Sequence, residues 1–147
     1  GGALLDLGCY PISAYLNLFN LNLKVFFSHL NTELPFKVDT SGLIFLKNKN
    51  LLFKLSWGLG FEYQNNCRIF GKKGSIDATP FFSKPFERQS KIRIYKKNSV
   101  KEVKIEKSNH FVEMLDSFSN IIRNEKKIKD QYKICLNQSK LIENVRK

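Results

Sequence analysis

The feature that most constrains the fold of this chain is a double change in the period of its apolar residues. Leu4, Leu5, Ile12, Leu16 and Phe19 keep a helical spacing through residues 1–20. From Leu23 the period changes to two and recurs in segments as far as Glu106. Beyond Asn109 it becomes helical again. Phe111, Met114, Leu115, Phe118, Ile121 and Ile122 form one stripe, and Tyr132, Cys135, Leu136, Ser139 and Ile142 a second. A period near 3.6 buries one side of a helix, whereas a period of two buries one face of a sheet. The order helix, several strands, two helices predicts an α+β fold: a mostly antiparallel open sheet with helices on one face.

Local signals fill in that frame. Lys24–Leu30 reads as a strand, and Thr40–Lys47 and Leu51–Leu59 as a hairpin around Asn48-Lys49-Asn50. Leu51, Phe53, Leu55, Trp57 and Leu59 share one face of the second arm, opposite Leu52, Lys54, Ser56 and Gly58. Asn66–Phe70 turns through Gly71-Lys72-Lys73-Gly74 into Ser75–Ala78. Lys91–Lys96 and Val100–Glu106 alternate around Lys97-Asn98-Ser99. Residues 79–90, with two prolines and three phenylalanines and no period, read as a loop whose rings need cover. Asn109 is the expected N-cap of the helix after it. Pro11 interrupts the first helical segment, because it removes a hydrogen bond and disfavours α geometry at Tyr10. Either the helix is kinked there, with Gly8 absorbing the bend, or a new helix begins at Pro11.

A chain of 147 residues with 42% hydrophobic and 26% charged side chains has enough apolar material for one domain with a core. Its apolar runs fall short of the ~20 residues of a membrane-spanning helix. The N-terminal stretch lacks a signal peptide's basic start and carries Asp6. Three widely spaced cysteines, Cys9, Cys67 and Cys135, suit neither a disulfide framework nor a zinc site and fit a reducing cytoplasm. The net charge of +12 raises the question of nucleic acid. The excess, however, consists of single lysines interspersed with acids, and only 5 of the 25 basic residues are arginine. Phosphate and base-edge readers lean more on arginine, so neither a nucleic-acid nor a membrane partner is expected.

Asp6 and Tyr10 are the candidate site residues. Four residues apart, they project from the same face of a helix. A phenol can pass a proton and a neighbouring carboxylate can hold a hydroxyl; the plainer roles are a helix-dipole aspartate and a packing tyrosine. His29 and His110 have no partners at ligand spacing, so a metal site is not expected. Cys9 has no basic neighbour in sequence that would make it a nucleophile. Lys72 and Lys73 flank a glycine turn where a phosphate could dock, although a solvated turn is the simpler reading. Asn137-Gln138-Ser139 is a formal glycosylation sequon set in a helix and is discarded.

Gly1-Gly2-Ala3-Leu4-Leu5-Asp6-Leu7-Gly8-Cys9-Tyr10-Pro11 closely resembles the GGGxxxDxGxY/H signature of the Gfo/Idh/MocA oxidoreductases. Trp57–Asn65 resembles a sheet segment of that family's sugar-active branch. Gly71-Lys72-Lys73-Gly74-Ser75-Ile76 resembles its G-x-x-G-S/T turn, and Asn109-His110-Phe111 the start of its late helix. The resemblance implies an enzyme with an N-terminal dinucleotide-binding domain and a C-terminal α+β domain. This chain matches the second part alone, so residues 1–147 are expected to be a single substrate-binding and oligomerising domain. Residue 1 is Gly rather than Met, as if the chain began just inside the triple-glycine motif. Gly58-Leu59-Gly60 lacks the third glycine and following helix of a dinucleotide fingerprint, and the family's Glu-Lys-Pro segment is absent.

By the same resemblance, Asp6 corresponds to the family's motif aspartate, which contacts substrate hydroxyls or the catalytic partner. Tyr10 corresponds to the proton-transferring position, which is His in inositol dehydrogenase-like members. Tyr there points to sugar carbonyl chemistry with NAD or NADP, on a sugar or nucleotide-sugar. The full-length protein would then be the enzyme, the fragment alone being inactive, with homo-oligomers formed through the sheet face. The alternative is a stand-alone binding or assembly module that keeps the sheet without the chemistry.

Overall fold

The computed structural model describes residues 1–19 and 24–147. Asn20, the end of the expected first helix, and Leu23, where the strand period begins, lie outside the described residues. A π-helical turn, Leu4–Gly8, runs into helix α1, Cys9–Phe19. Seven strands follow: β1 (Lys24–Asn31), β2 (Ser41–Lys47), β3 (Leu52–Gly58), β4 (Cys67–Gly71), β5 (Gly74–Thr79), β6 (Lys91–Lys96) and β7 (Ser99–Lys104). Helices α2 (His110–Ile122) and α3 (Glu125–Val145) complete the described chain. The class is the expected α+β with every strand pair antiparallel. The strands form two sheets, however, in the orders β1-β2-β3 and β4-β5-β6-β7. Residues 1–61 and 125–147 make one compact unit, and residues 62–124 make a second.

In the first unit one face of the three-stranded sheet is apolar. Ile44 and Leu46 of β2 are fully buried and pair with Leu55 and Phe53 of β3. Leu4, Ile12 and Tyr15 from the N-terminal helix, with Leu141 and Val145 from α3, close the core over them. Tyr15 and Phe19 each meet Phe53 edge to face, with ring centroids 5.0 and 4.7 Å apart. Such packing adds to the burial of the rings themselves.

The face of α3 turned inward differs from the expected stripe. Of that stripe Ile142 is half-buried against the core, but Tyr132, Cys135, Leu136 and Ser139 are exposed, and Ile134, Gln138, Leu141 and Val145 carry further buried or half-buried positions. These sit at i, i+4, i+7 and i+11, an equally good helical spacing, and a glutamine in the row hid it from a count of apolar residues.

Pro11 is accommodated by a third route. The helix neither restarts at the proline nor bends at Gly8 alone; the turn before it widens into π geometry. Proline and a π-turn both interrupt the i→i−4 ladder, and here the two interruptions coincide. Gly8 serves a different purpose, since it lies against the indole of Trp57, where a methyl group would stand 2.7 Å from Cε2. Gly42 of β2 meets the same indole, a methyl there falling 2.5 Å from Cζ2. Trp57, 9% exposed, therefore packs closely against two glycines, and among the described residues its Nε1 has no hydrogen-bond partner.

On the outer face of this sheet a bulge at Val25–Phe27 brings Phe26 and Phe27 to the same neighbour. Their rings lie 5.8 and 6.0 Å from that of Phe45, and Lys47 Nζ sits 4.4 Å above Phe26. Phe26, Phe27 and Leu52 are exposed.

In the second unit, Asn65 organises the phenylalanine loop. Its Oδ1 accepts from the N–H groups of Phe81 (2.9 Å) and Phe82 (2.7 Å), and its Nδ2 donates to Ser83 O and to the Tyr63 hydroxyl. Across one face of the four-stranded sheet Arg68 pairs with Asp77 at 2.9 Å and Arg93 with Glu102 at 3.1 Å. Asn109 caps α2 as expected, its Oδ1 accepting from Phe111 N at 3.1 Å. The apolar stripe of α2 is not a core stripe: Phe111, Met114, Leu115, Phe118 and Ile122 are all more than half exposed.

Candidate functional site

Asp6 and Tyr10 ride on the helical segment that crosses the core face of the first unit. Leu4, Gly8, Ile12 and Tyr15 point into the core, which turns Asp6, Tyr10 and Asn17 outward to solvent. Tyr10 is 47% exposed. The two candidate residues thus share one accessible face, a carboxylate and a phenol about a helical turn apart. Their chemistry is complementary, the one an acceptor for hydroxyl donors, the other able both to give and to take a hydrogen bond.

The segment is fixed by contacts distant in sequence. Asp39, just before β2, accepts from Leu4 N through Oδ2 at 2.5 Å and from Ala3 N through its own carbonyl at 2.8 Å. Gly2, at φ +104°, passes so close that a Cβ would collide with the Asp39 carboxylate. Gln138 of α3 donates from Nε2 to the carbonyl of Cys9 at 3.3 Å. None of these partners stands out in the sequence. Asp39 is an isolated acid before a strand, and Gln138 lies within the discarded sequon.

The other candidates take structural places. Burial, reinforced by the negative charge of Asp6, pushes the Cys9 thiol up, away from the thiolate a nucleophile needs. Burial, with Asp77 beside it, does the same to Cys67. His29 is exposed in β1, and the His110 ring lies 4.3 Å from that of Phe111 at the start of α2. Lys72 and Lys73 occupy the exposed turn between β4 and β5. Among the described residues no three His, Cys, Asp or Glu side chains gather as a metal set. No described helix is long and apolar enough to cross a membrane.

The first unit is an antiparallel α+β unit whose first helix presents Asp6 and Tyr10 from a Gly-Gly-x-x-x-Asp-x-Gly-x-Tyr stretch. The chain belongs to the GFO/IDH/MocA family: residues 1–77 match the model of its C-terminal domain. Among curated proteins it is similar to the dTDP-3,4-didehydro-2,6-dideoxy-alpha-D-glucose 3-reductase of Saccharopolyspora spinosa. The two are 29% identical over 124 residues, 84% of this chain and 37% of that protein. The enzyme of the same name from Actinomadura kijaniata is 24% identical, over 99% of this chain and 44% of its own length. The chain thus spans less than half the length of the curated relatives it matches. Among solved structures, KijD10, a 3-ketoreductase from Actinomadura kijaniata in complex with NADP, superposes with a TM-score of 0.91. It is 24% identical, and the match covers 99% of this chain and 47% of that one. That likeness establishes the fold.

The residues of this chain do not fit the dinucleotide itself. A pyrophosphate is held by a glycine-rich turn between a strand and the N-terminus of a helix, in a parallel sheet. Every described strand pair here is antiparallel, and the one described strand-to-helix connection, Ile105–Asn109, contains no glycine.

Proposed function

We propose that this chain is the substrate-side domain of an NAD(P)-dependent reductase acting on the keto group of a nucleotide-sugar. The observation that carries the reading is the shared solvent face of Asp6 and Tyr10 on a helix locked to the sheet side by Asp39 and Trp57 and to α3 by Gln138. Family membership and the nucleotide-sugar reductases among the relatives support it.

In this reading Tyr10 hands a proton to the sugar oxygen as the carbonyl is reduced. A phenol is protonated at neutral pH and suited to donating. Asp6 accepts hydrogen bonds from sugar hydroxyls and fixes the ring against the phenol. NAD(P), held by residues outside this chain, supplies the hydride. The domain is further proposed to work in the cytoplasm and to self-associate through the outer face of β1–β3. There Phe26, Phe27 and Leu52 leave apolar surface uncovered, as an isologous sheet-to-sheet contact would require.

The test is Tyr10→Phe in the full-length protein, with NADPH and dTDP-linked keto-sugars. General-acid help is worth about 10²–10⁴-fold, so kcat should fall by that factor with cofactor affinity unchanged. Asp6→Asn should raise KM more than it lowers kcat. Turnover kept by Tyr10→Phe when the hydride step is rate-limiting would make the tyrosine mere packing.

A further inference from the structure

Resting on that reading of Tyr10, we propose that Asp39 and Gln138 are positioning residues, which together set where the phenol stands. The need for them follows from the local backbone. Between Leu4 and Pro11 the helix passes from π to α geometry and then meets a residue with no N–H. The regular i→i−4 pattern is therefore broken next to Tyr10, by the π turn before it and by the N–H that Pro11 lacks. Two side chains from outside the segment add to what fixes it.

Asp39 holds the beginning. The N–H groups of Ala3 and Leu4 belong to the first turn, where no intrahelical acceptor exists, and Asp39 takes both. It is itself well anchored. The next residue, Thr40, donates its N–H to Asn31 O at 2.8 Å and accepts from Leu59 N at 2.9 Å, tying it into the β1–β2–β3 sheet. The helix start is thereby referenced to the sheet rather than to its own neighbours.

Gln138 holds the other side. It sits in the inward row of α3 among Ile134, Leu141 and Val145, where a polar end is costly unless bonded. Its Nε2 reaches the Cys9 carbonyl, which belongs to the peptide unit leading into Tyr10. Shifting that peptide shifts the root of the phenol directly. A misplacement of about 1 Å can cost on the order of 10²-fold in rate.

The experiment uses the full-length enzyme, reducing a dTDP-linked keto-sugar with NADPH. Gln138→Leu keeps the volume and removes the donor. Asp39→Ala removes the side-chain acceptor, and Asp39→Asn restores one. We expect Gln138→Leu and Asp39→Ala to lower kcat by roughly 3–30-fold, within the range a sub-ångström to 1 Å displacement allows, with KM little changed and Asp39→Asn recovering most of the loss. The decisive arm is the Tyr10→Phe background, where a residue acting through the phenol has nothing left to position. There Gln138→Leu should cost almost nothing further. An equal loss in both backgrounds, or wild-type kcat in folded Gln138→Leu and Asp39→Ala, overturns the positioning role while leaving Tyr10's role intact. Full turnover in Tyr10→Phe alone overturns the reading of Tyr10, and the positioning proposal with it.

Discussion

Replacing Gly8 by alanine probes the joint between the site helix and its sheet. A methyl group at Gly8 would stand 2.7 Å from Cε2 and 2.9 Å from Cδ2 of Trp57, and 3.1 Å from Cδ1 of Leu4. Carbon atoms rest at about 3.5–4.0 Å, so the helix and the indole must separate by close to 1 Å. Gly42 packs against the same indole, a methyl there falling 2.5 Å from Cζ2, which restricts where the ring can move. Overpacking of this kind costs about 1–3 kcal/mol. The gain in helix propensity from Gly to Ala, about 1 kcal/mol in an ordinary helix interior, offsets part of it. A net loss of up to about 2 kcal/mol follows, which for a unit of this size lowers Tm by up to about 15 °C. Thermal denaturation followed by tryptophan fluorescence suits the assay, since Trp57 is the chain's single tryptophan. Trp57→Phe, which removes that tryptophan and is followed by circular dichroism instead, should relieve the clash in the Gly8→Ala background. A Gly8→Ala protein that melts at or above the wild-type temperature would show that the contact is slack, and the argument for a locked helix would fail.

Asn65→Ala should destabilise the second unit by roughly 1–3 kcal/mol, because it removes the side-chain acceptor of the Phe82 N–H and leaves the Phe81 N–H only its longer bond to the carbonyl of residue 65 at 3.3 Å; hydrogen exchange at the Phe82 amide reads the effect, and unchanged protection would contradict it. Cys9 and Cys67 should alkylate more slowly than exposed Cys135 at pH 8, as mass spectrometry of timed iodoacetamide reactions would show. Both thiols are raised above the ordinary cysteine value in the folded state, so their contribution to stability is fully present below that value. It is lost as pH rises from there through the folded pKa, and denaturant midpoints should therefore fall on the alkaline side. Phe45→Glu, which places a charge between Phe26 and Phe27 on the outer sheet face, should shift the full-length protein toward monomer in light scattering; a wild-type protein that is already monomeric at micromolar concentration removes the proposed interface.

The parts of this fold that could be read in the sequence are those governed by neighbours a few residues apart. The β2–β3 hairpin follows from the alternation around Asn48-Lys49-Asn50, with the Asn48 side chain accepting from Asn50 N and Leu51 N at 2.9 Å. The cap at Asn109 and the tight β4–β5 turn are equally local. Division into two sheets left no such mark, because strand alternation is the same in one sheet as in two. The inward row of α3 was misread for a similar reason: Gln138 is there for one hydrogen bond to a carbonyl 129 positions away. At the site, the Asp6–Tyr10 spacing was legible as a shared face. What holds that face in place was not, since Asp39, Gln138 and the glycines around Trp57 are long-range partners.

The first unit is discontinuous, assembled from residues 1–61 and 125–147 around a contiguous second unit. This arrangement imposes an order on synthesis. A ribosome delivers roughly 5–20 residues per second, so residues 62–124 are complete, and free to fold on their own local hairpins, while the first unit still lacks its closing helix. Until α3 arrives, Ile12 and Tyr15 have only the sheet to cover them. The carbonyl beside Tyr10 likewise waits for residue 138. Closing so long a loop is slow, and in the interval Ile12 and Tyr15 keep one side uncovered. The site helix is thus made well before the helix that completes its unit, and it reaches its working position only when that helix docks.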